Sequence, residues 1–303
     1  MSTNMGLGTS INKCRAPGQS GAGAPPHRAA WGGKAQPLLW GIASLACFIA
    51  IWEVAWVAGW ADPLLLPPPH IFLRHFVSQA QYFVPTDVIG ETSGATAFRS
   101  LIMTIVATTL RVLVGLSLGF VCAVGMGVAI RYYRVFGNLT LPTITLLAPI
   151  SPIAWLPVAI FLFGIGNGPA VFMVFISLFF VMTISTISQI DSVSRTHLNV
   201  AAVMGATRAQ TFRHVIIPAI LPSLFLTLRM NLFGAWMVVL IAEATGVGSG
   251  LGQVVMLSRN TFNASLSFFT MTLIGVTGFV FDYALRVVQR KVLFWVPENS
   301  MRT

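Results

Sequence analysis

Six long apolar blocks constrain this chain more than any other feature. They run at about 37–60, 103–130, 139–163, 169–190, 217–242 and 266–288. Each holds about 20 or more mainly apolar residues, and a helix of that length, rising 1.5 Å per residue, crosses a hydrocarbon core of about 30 Å. Only 9% of the 303 residues are charged and 55% are hydrophobic, whereas a soluble domain carries roughly 25% charged residues. The deficit is too large for a water-facing surface. The expected fold class is all-α integral membrane, with six transmembrane helices.

The net charge of +10 raises the question of nucleic acid, but its distribution argues against it. The basic residues sit at the ends of apolar blocks, with no basic face interleaved with aromatics. With the amino terminus in the cytoplasm, that side holds Lys13, Arg15, Arg28, Lys34, Arg131, Arg134, Arg195, Arg208, Arg213, Arg286, Arg290, Lys291 and Arg302. The opposite loops hold Arg74, Arg99 and Arg259. This is the positive-inside pattern, and with six spans it puts both termini in the cytoplasm. Residues 1–36, rich in Gly, Ala, Ser and Pro, read as a disordered basic tail. Residues 296–303 read as a second cytoplasmic tail. Block 37–60 follows a basic flank, yet it exceeds the roughly 7–15 residues of a signal-peptide core and reads as an uncleaved first span. In the outer loop 61–100, Ile71 to Phe83 is expected to lie along the membrane surface.

One stretch between the apolar blocks looks built to touch something soluble: Asn199 to Pro222, NVAAVMGATRAQTFRHVIIPAILP. Val200, Met204, Thr207, Thr211 and Phe212 are placed to share one face of a helix. Gly205 in its middle costs roughly 1 kcal/mol of helix stability, which makes sense if another backbone comes close or the chain bends there. Pro218 and Pro222 are expected to restart the chain as the next span.

This stretch resembles the E-A-A-x-x-x-G-x9-I-x-L-P signature of the permease subunits of bacterial ABC importers, with Gly205 and Pro218 at the expected spacing. Its continuation, GATRAQTFRHVIIPAILPSL, is similar to the nitrate/sulfonate/taurine/bicarbonate-type subgroup. The segments LLLPPPHIF, LLAPISPIAWLPVAIFLFGIG (146–166) and AEATGVGSGLG (242–252) resemble that subgroup's L-P-S-P segment, its Pro-rich third span and its loop after span five. The resemblance covers about 37–295, which is taken as the permease domain. It implies a type I ABC importer fold and a cytoplasmic coupling helix at 199–212. Residues Asn199, Ala201, Ala202, Gly205, Ala206, Arg208 and Phe212 would contact the ATPase, with Gly205 at the close approach. Asn199 stands where the family has glutamate and Val200 where it has the first alanine. Gly205 and the helix faces, rather than that charge, are therefore expected to carry coupling.

The resemblance also implies partners. These are two copies of a cytoplasmic ATP-binding subunit, a periplasmic or lipid-anchored solute-binding protein, and a second copy of this chain, in the bacterial inner membrane. No cofactor is expected on the chain itself, and ATP and magnesium belong to the partner subunit. A phosphate loop needs G-x-x-x-x-G-K-[ST]. Here Gly33-Lys34 is followed by Ala35, and Arg28 occupies the place of the first glycine. The eight acidic residues are scattered singly and the five histidines lack metal-ligand spacing, so no catalysis or metal site is expected. Cys14, Cys47 and Cys122 form no close pair, so no disulfide frame follows.

Several membrane residues invite two readings each. Gly115, Gly119, Ala123 and Gly127 recur every four residues, spacing that lets helices pack closely, inside the subunit or at a dimer seam, with a substrate role as the other reading. Pro149, Pro152 and Trp155 lie in a proline-rich span that either lines the translocation pathway and bends or is merely kinked. Glu53, Arg111, Arg229 and Glu243 are intramembrane charges, costly unless paired, hydrated or snorkelling. Arg229 either attracts an anion or pairs with Glu53 or Asp282, and Asn231 and Glu243 join it as pathway candidates. The Gly-rich GVGSGLG (246–252) is either a flexible gate or docking loop, or a plain turn.

The expected function is therefore the transmembrane subunit of an ATP-driven importer for a small anionic solute: a sulfonate, nitrate, bicarbonate, taurine or an organic acid. An ion-coupled secondary transporter is the alternative. It predicts an inverted repeat and paired intramembrane acids, and neither is visible. A membrane scaffold without transport is the third reading.

Overall fold

The computed structural model describes residues 36–60, 66–74, 76–83 and 94–294. The tail expected at 1–36, apart from Gln36, which opens a helix, the tail expected at 296–303 and parts of the loop 61–100 lie outside the described residues. The chain divides into two units, one ending at Ile51 and one beginning at Trp52. The described part of the first is the opening of helix α1 (Gln36–Val57), whose stretch Leu39–Val57 is long and apolar enough to cross a membrane.

Among the described residues the second unit holds the end of α1 and eleven further α-helices. Two short ones, α2 (Pro69–Arg74) and α3 (Phe76–Ala80), occupy the loop where a surface-lying stretch is expected. The long helix α4 (Gly94–Tyr132) follows. It stops at Tyr133, which adopts an extended backbone, and the chain turns back as α5 (Arg134–Leu147). Gly137 permits that reversal, because an added Cβ there would strike the Ile130 carbonyl.

The third expected span, 139–163, is not one helix. It is α5, then a 3-10 turn (Pro152–Trp155), then α6 (Leu156–Phe163), with a bend of 100° between α5 and the turn-plus-α6 segment. The cause is local. Pro152 disfavours a helical conformation at the preceding residue, and Ser151 is extended at φ −55°, ψ 134°.

Helix α7 (Asn167–Asp191) then packs along α4 in the same direction. Gly115 lies against Val174, Gly119 against Leu178 and Gly127 against Thr186. Ala123 is fully buried and its carbonyl accepts a bond from Thr183 Oγ1 at 3.4 Å. The small residues of α4 are thus a packing seam within the subunit. Two sequential parallel helices require the chain between them to return across the apolar layer. Among the described residues the bent α5–α6 pair therefore makes a sixth crossing, beside five unbroken helices long and apolar enough to cross a membrane.

After two short helices, α8 (Arg195–Val203) and α9 (Arg208–Thr211), the chain continues without a break through a π-helical turn (Phe212–Ile216) into α10 (Ile217–Ala242). The sequence suggests a restart at Pro218; the structure instead absorbs the proline. Its missing N–H disrupts the i→i−4 ladder, and the Ile217 N–H bonds five residues back to the Phe212 carbonyl, as a π turn does. Helix α10 runs antiparallel to α7, with Thr227 beside Ser185 and Gly246 bonded to Gly166. A second π turn (Glu243–Val247) leads into α11 (Leu251–Asn260) and α12 (Ala264–Val292). The shared core is built on α4, α7 and α10, around Val112, Met173, Leu178, Leu224 and Val239.

Candidate functional site

The polar stretch between α7 and α10 is built from two caps and an elbow. Ser194 caps α8, its Oγ accepting from Thr196 N at 3.3 Å. The helix ends at Met204, and Gly205 takes a left-handed φ of +72°. The Gly205 N–H bonds to the Ala202 carbonyl and the Ala206 N–H to the Ala201 carbonyl, each at 3.0 Å. This is the Schellman ending, which satisfies the last carbonyls and favours glycine at the left-handed position. Thr207 then opens α9 with a reciprocal capping box to Gln210.

The expected single helix over 199–212 is therefore two helices joined at Gly205. Val200, Met204, Thr207, Thr211 and Phe212 do not share one helical face. An added Cβ at Gly205 meets nothing within 4 Å in this chain, so within the subunit the glycine serves the bend and not a close approach.

The elbow has an inner and an outer side. On the inner side Ala201 is buried, and Phe212 packs edge-on against Tyr132 at 5.9 Å between ring centroids. Arg208 Nη2 donates to the Tyr132 carbonyl at 3.2 Å, and its guanidinium lies 5.3 Å from the Tyr132 ring centre. Arg208, expected at the ATPase contact, is thus turned toward the end of α4. On the outer side Val203 is 89% and Met204 81% exposed, with Val200 also exposed. Asn199, Ala202 and Gly205 are exposed and Ala206 is half-buried. The result is an apolar knob held rigidly beside the ends of α4 and α7.

The intramembrane charges are paired. Arg111 on α4 donates to Glu243 Oε1 at 2.6 Å. Arg111 is 7% and Glu243 0% exposed, so each needs the other to offset its desolvation. The remaining bonding capacity is used as well. Arg111 Nε reaches Asn167 Oδ1 at 2.8 Å, and Arg111 Nη2 reaches Ser249 Oγ at 2.8 Å. Glu243 Oε2 accepts from the Gly252 N–H at 3.0 Å, and Thr108 Oγ1 accepts from the Leu251 N–H at 3.1 Å. The Glu243 carboxylate occupies the space of a side chain at Gly250. The segment 246–252, a gate or a plain turn on sequence grounds, is bonded to α4 through this cluster and opens α11. Arg111 is the one charged residue of its apolar block, and Glu243 lies just past the end of the block that holds Arg229; that both are costly in an apolar setting is the signal the chain carries for this cluster.

Arg229 Nε donates to Asp282 Oδ1 at 2.8 Å, and Asp282 also accepts from Arg286 one turn on. Glu53 pairs with His70, Oε1 to Nδ1 at 2.9 Å, and not with Arg229. Asn231 donates to the Thr227 carbonyl at 2.9 Å. Pro149 is exposed at the bend, and Trp155 lies half-buried against Phe180 at 6.3 Å between centroids. The six pathway candidates lie on the bend, on α10 and in the Glu243 cluster. A polar contact that the sequence did not suggest joins α7 to α10: Gln189 Nε2 donates to Ser185 Oγ at 3.0 Å and to Thr227 Oγ1 at 3.2 Å. Among the described residues no His, Cys, Asp and Glu group of three or more is placed to hold a metal ion.

Comparison with known proteins agrees with this architecture. Residues 115–294 match the family model described as the binding-protein-dependent transport system inner membrane component. A Brucella melitensis protein named "probable ABC transporter permease protein" is 31% identical over 211 residues, 70% of this chain and 86% of that one. The taurine transport system permease protein TauC of Escherichia coli is 27% identical over 257 residues, 85% of this chain and 90% of its own. Among solved structures, the MetNI methionine ABC transporter in an inward-facing form aligns with a TM-score of 0.54 at 19% identity, over 63% of this chain and 95% of that chain. That likeness concerns the fold, an all-helical bundle of the type I importer kind. The chain belongs to the family of inner-membrane components of binding-protein-dependent transport systems, the multi-pass permeases of ABC transporters, whose ATPase activity lies in a separate subunit.

Proposed function

We propose that this chain forms the translocation pathway of an ABC importer for a small anionic solute of the sulfonate, taurine or nitrate kind. A solute-binding protein delivers the solute, and both chain termini lie on the cytoplasmic side of the inner membrane. Two copies of the chain act with two ATP-binding subunits, which hold the ATP and magnesium. Similarity to a taurine permease supports the solute class. The positive-inside distribution of arginine and lysine supports the orientation.

One observation carries the coupling reading. The knob of Val200, Val203 and Met204 is apolar and exposed, yet its base is fixed by Ala201, Phe212 and Arg208 to the body of the bundle. Exposed apolar residues on a rigid mount at the end of a membrane bundle fit a docking contact with a soluble partner. Movement of the ATPases pulls the knob, and the capped elbow passes that motion to α4 and α10. The bend around Pro149, Pro152 and Trp155 is the element on the pathway most able to change. Its direction of movement follows from differential binding of ATP and of the loaded binding protein to the two states.

The test is the permease purified with its ATP-binding subunit and reconstituted in vesicles. Replacing Val203 and Met204 together by aspartate is expected to release the ATPase or abolish its stimulation by the loaded binding protein. Unchanged stimulation would sink the coupling reading.

A further inference from the structure

A second feature lies beneath the elbow. A cavity of about 480 Å³ opens between the end of α4, the end of α7 and the two short helices. Its polar rim carries Arg131, Arg195 and Arg208, with a single acid, Asp191. Its apolar lining includes Ile190, Phe212 and Ile216. Asp191 is engaged by Arg131 at 2.5 Å. Arg208 is bound to a neutral carbonyl, that of Tyr132. Arg195 makes no hydrogen bond or ion pair among the described residues and is exposed. Three cations thus face one carboxylate that is already occupied.

The position of this excess decides what it attracts. Tyr132 and Asp191 end two of the membrane-crossing helices, so the cavity lies where the bundle leaves the apolar layer. Guanidinium groups bind phosphate oxygens in forked geometry. An apolar wall beside them suits the glycerol and first methylenes of a lipid. Basic pockets between membrane helices at this level hold anionic headgroups.

We infer that this cavity binds the phosphate of an anionic phospholipid, with Arg195 as its uncommitted ligand. Ala202, Arg208 and Thr211 also line the cavity, so an occupant touches both sides of the Gly205 elbow and steadies it against α4 and α7. The site goes beyond the coupling reading, and its occupancy is measured without ATP hydrolysis.

The experiment uses the full chain, purified with whatever subunits accompany it, and measures retention of added lipid by native mass spectrometry. The probes are phosphatidylglycerol, phosphatidylcholine and, as a soluble source of the same chemistry, inorganic phosphate against chloride at equal ionic strength. Phosphatidylglycerol is expected to bind in preference to phosphatidylcholine. Arg195→Gln is expected to weaken it roughly fivefold, the effect of one arginine near an anionic headgroup, and Arg195→Lys to retain most of it. Arg290→Gln, which removes an exposed cation on α12, is expected to change nothing. If inorganic phosphate displaces the lipid, or binds alone in an Arg195-dependent way, the phosphate pocket stands and its occupant is soluble. Equal retention of both probes by the wild type and Arg195→Gln overturns the site. Equal loss in Arg290→Gln overturns it too, because attraction would then belong to the surface at large.

Discussion

Arg111 and Glu243 lie 132 residues apart and meet at 2.6 Å in the interior of the bundle. That contact bonds α4 to the π turn after α10, and its neighbours Asn167, Ser249 and Gly252 add the start of α7 and the start of α11. Removing one partner leaves a buried charge without its counter-charge, a loss of about 3–5 kcal/mol. Arg111→Leu and Glu243→Leu are each expected to lower the thermal unfolding midpoint of the purified chain markedly. The double replacement recovers part of the loss, because no lone charge remains. Single variants as stable as the wild type would show that the pair is dispensable.

The elbow makes a different prediction at Gly205. Its φ of +72° costs a residue with a Cβ roughly 1–2 kcal/mol, and asparagine tolerates this region better than others. Transport should therefore decline in the order Gly, Asn, Ala. Were the glycine needed instead for close approach by a partner's backbone, Gly205→Asn would be at least as harmful as Gly205→Ala, because it is bulkier. The rank order of solute-stimulated ATP hydrolysis separates the two.

The seam between α4 and α7 separates its glycines by what surrounds them. A Cβ at Gly115 would lie 2.6 Å from Val174 Cβ, and one at Gly127 would lie 2.7 Å from Thr186 Cβ, while nothing lies within 4 Å of one at Gly125. Overpacking of this kind costs about 1–3 kcal/mol. Gly115→Ala and Gly127→Ala should reduce thermal stability, and Gly125→Ala should leave it unchanged or slightly raised. Three equal shifts would contradict the packing described.

At Asp282 one carboxylate serves two arginines, Arg229 and Arg286. Arg286 is half-exposed near the end of α12, and exposed ion pairs contribute about 0–1 kcal/mol. Arg286→Gln should therefore be mild. Asp282→Asn, which leaves the half-buried Arg229 without its carboxylate, should be clearly destabilising, and Arg229→Gln added to it should restore some stability. If Arg229 instead served the solute alone, Arg229→Gln would raise the KM for transport and leave the unfolding midpoint where it was.

Much of this was legible before any coordinates. A hydrocarbon layer demands about 20 apolar residues per crossing, and the long apolar blocks met that demand visibly. The four-residue recurrence of Gly115, Gly119, Ala123 and Gly127 marked a packing stripe, because small residues at that spacing fall on one helix face. Pro149 and Pro152 marked a weak point in the third block. The break there follows locally from Pro152, but its angle of 100° does not, since the angle depends on what α5 and α6 pack against.

The charges show the limit most clearly. Glu53, Arg111, Arg229 and Glu243 were recognisable as costly in an apolar setting; Asp282 was one of two partners open to Arg229, and the Arg111–Glu243 and Glu53–His70 pairs were not foreseen. Pairing Arg229 with Asp282 and Arg111 with Glu243 depends on which helices lie side by side and in what direction. The parallel course of α4 and α7, and the antiparallel course of α10, settle that. The sequence by itself determined an all-helical membrane chain, its polar stretch between apolar blocks and the absence of a phosphate-loop pattern, because these follow from local composition and spacing. Only the tertiary structure decided that Gly205 is an elbow, that the Gly-rich turn is bonded to α4, and that three arginines gather beneath the elbow, because each requires residues distant in the chain to meet.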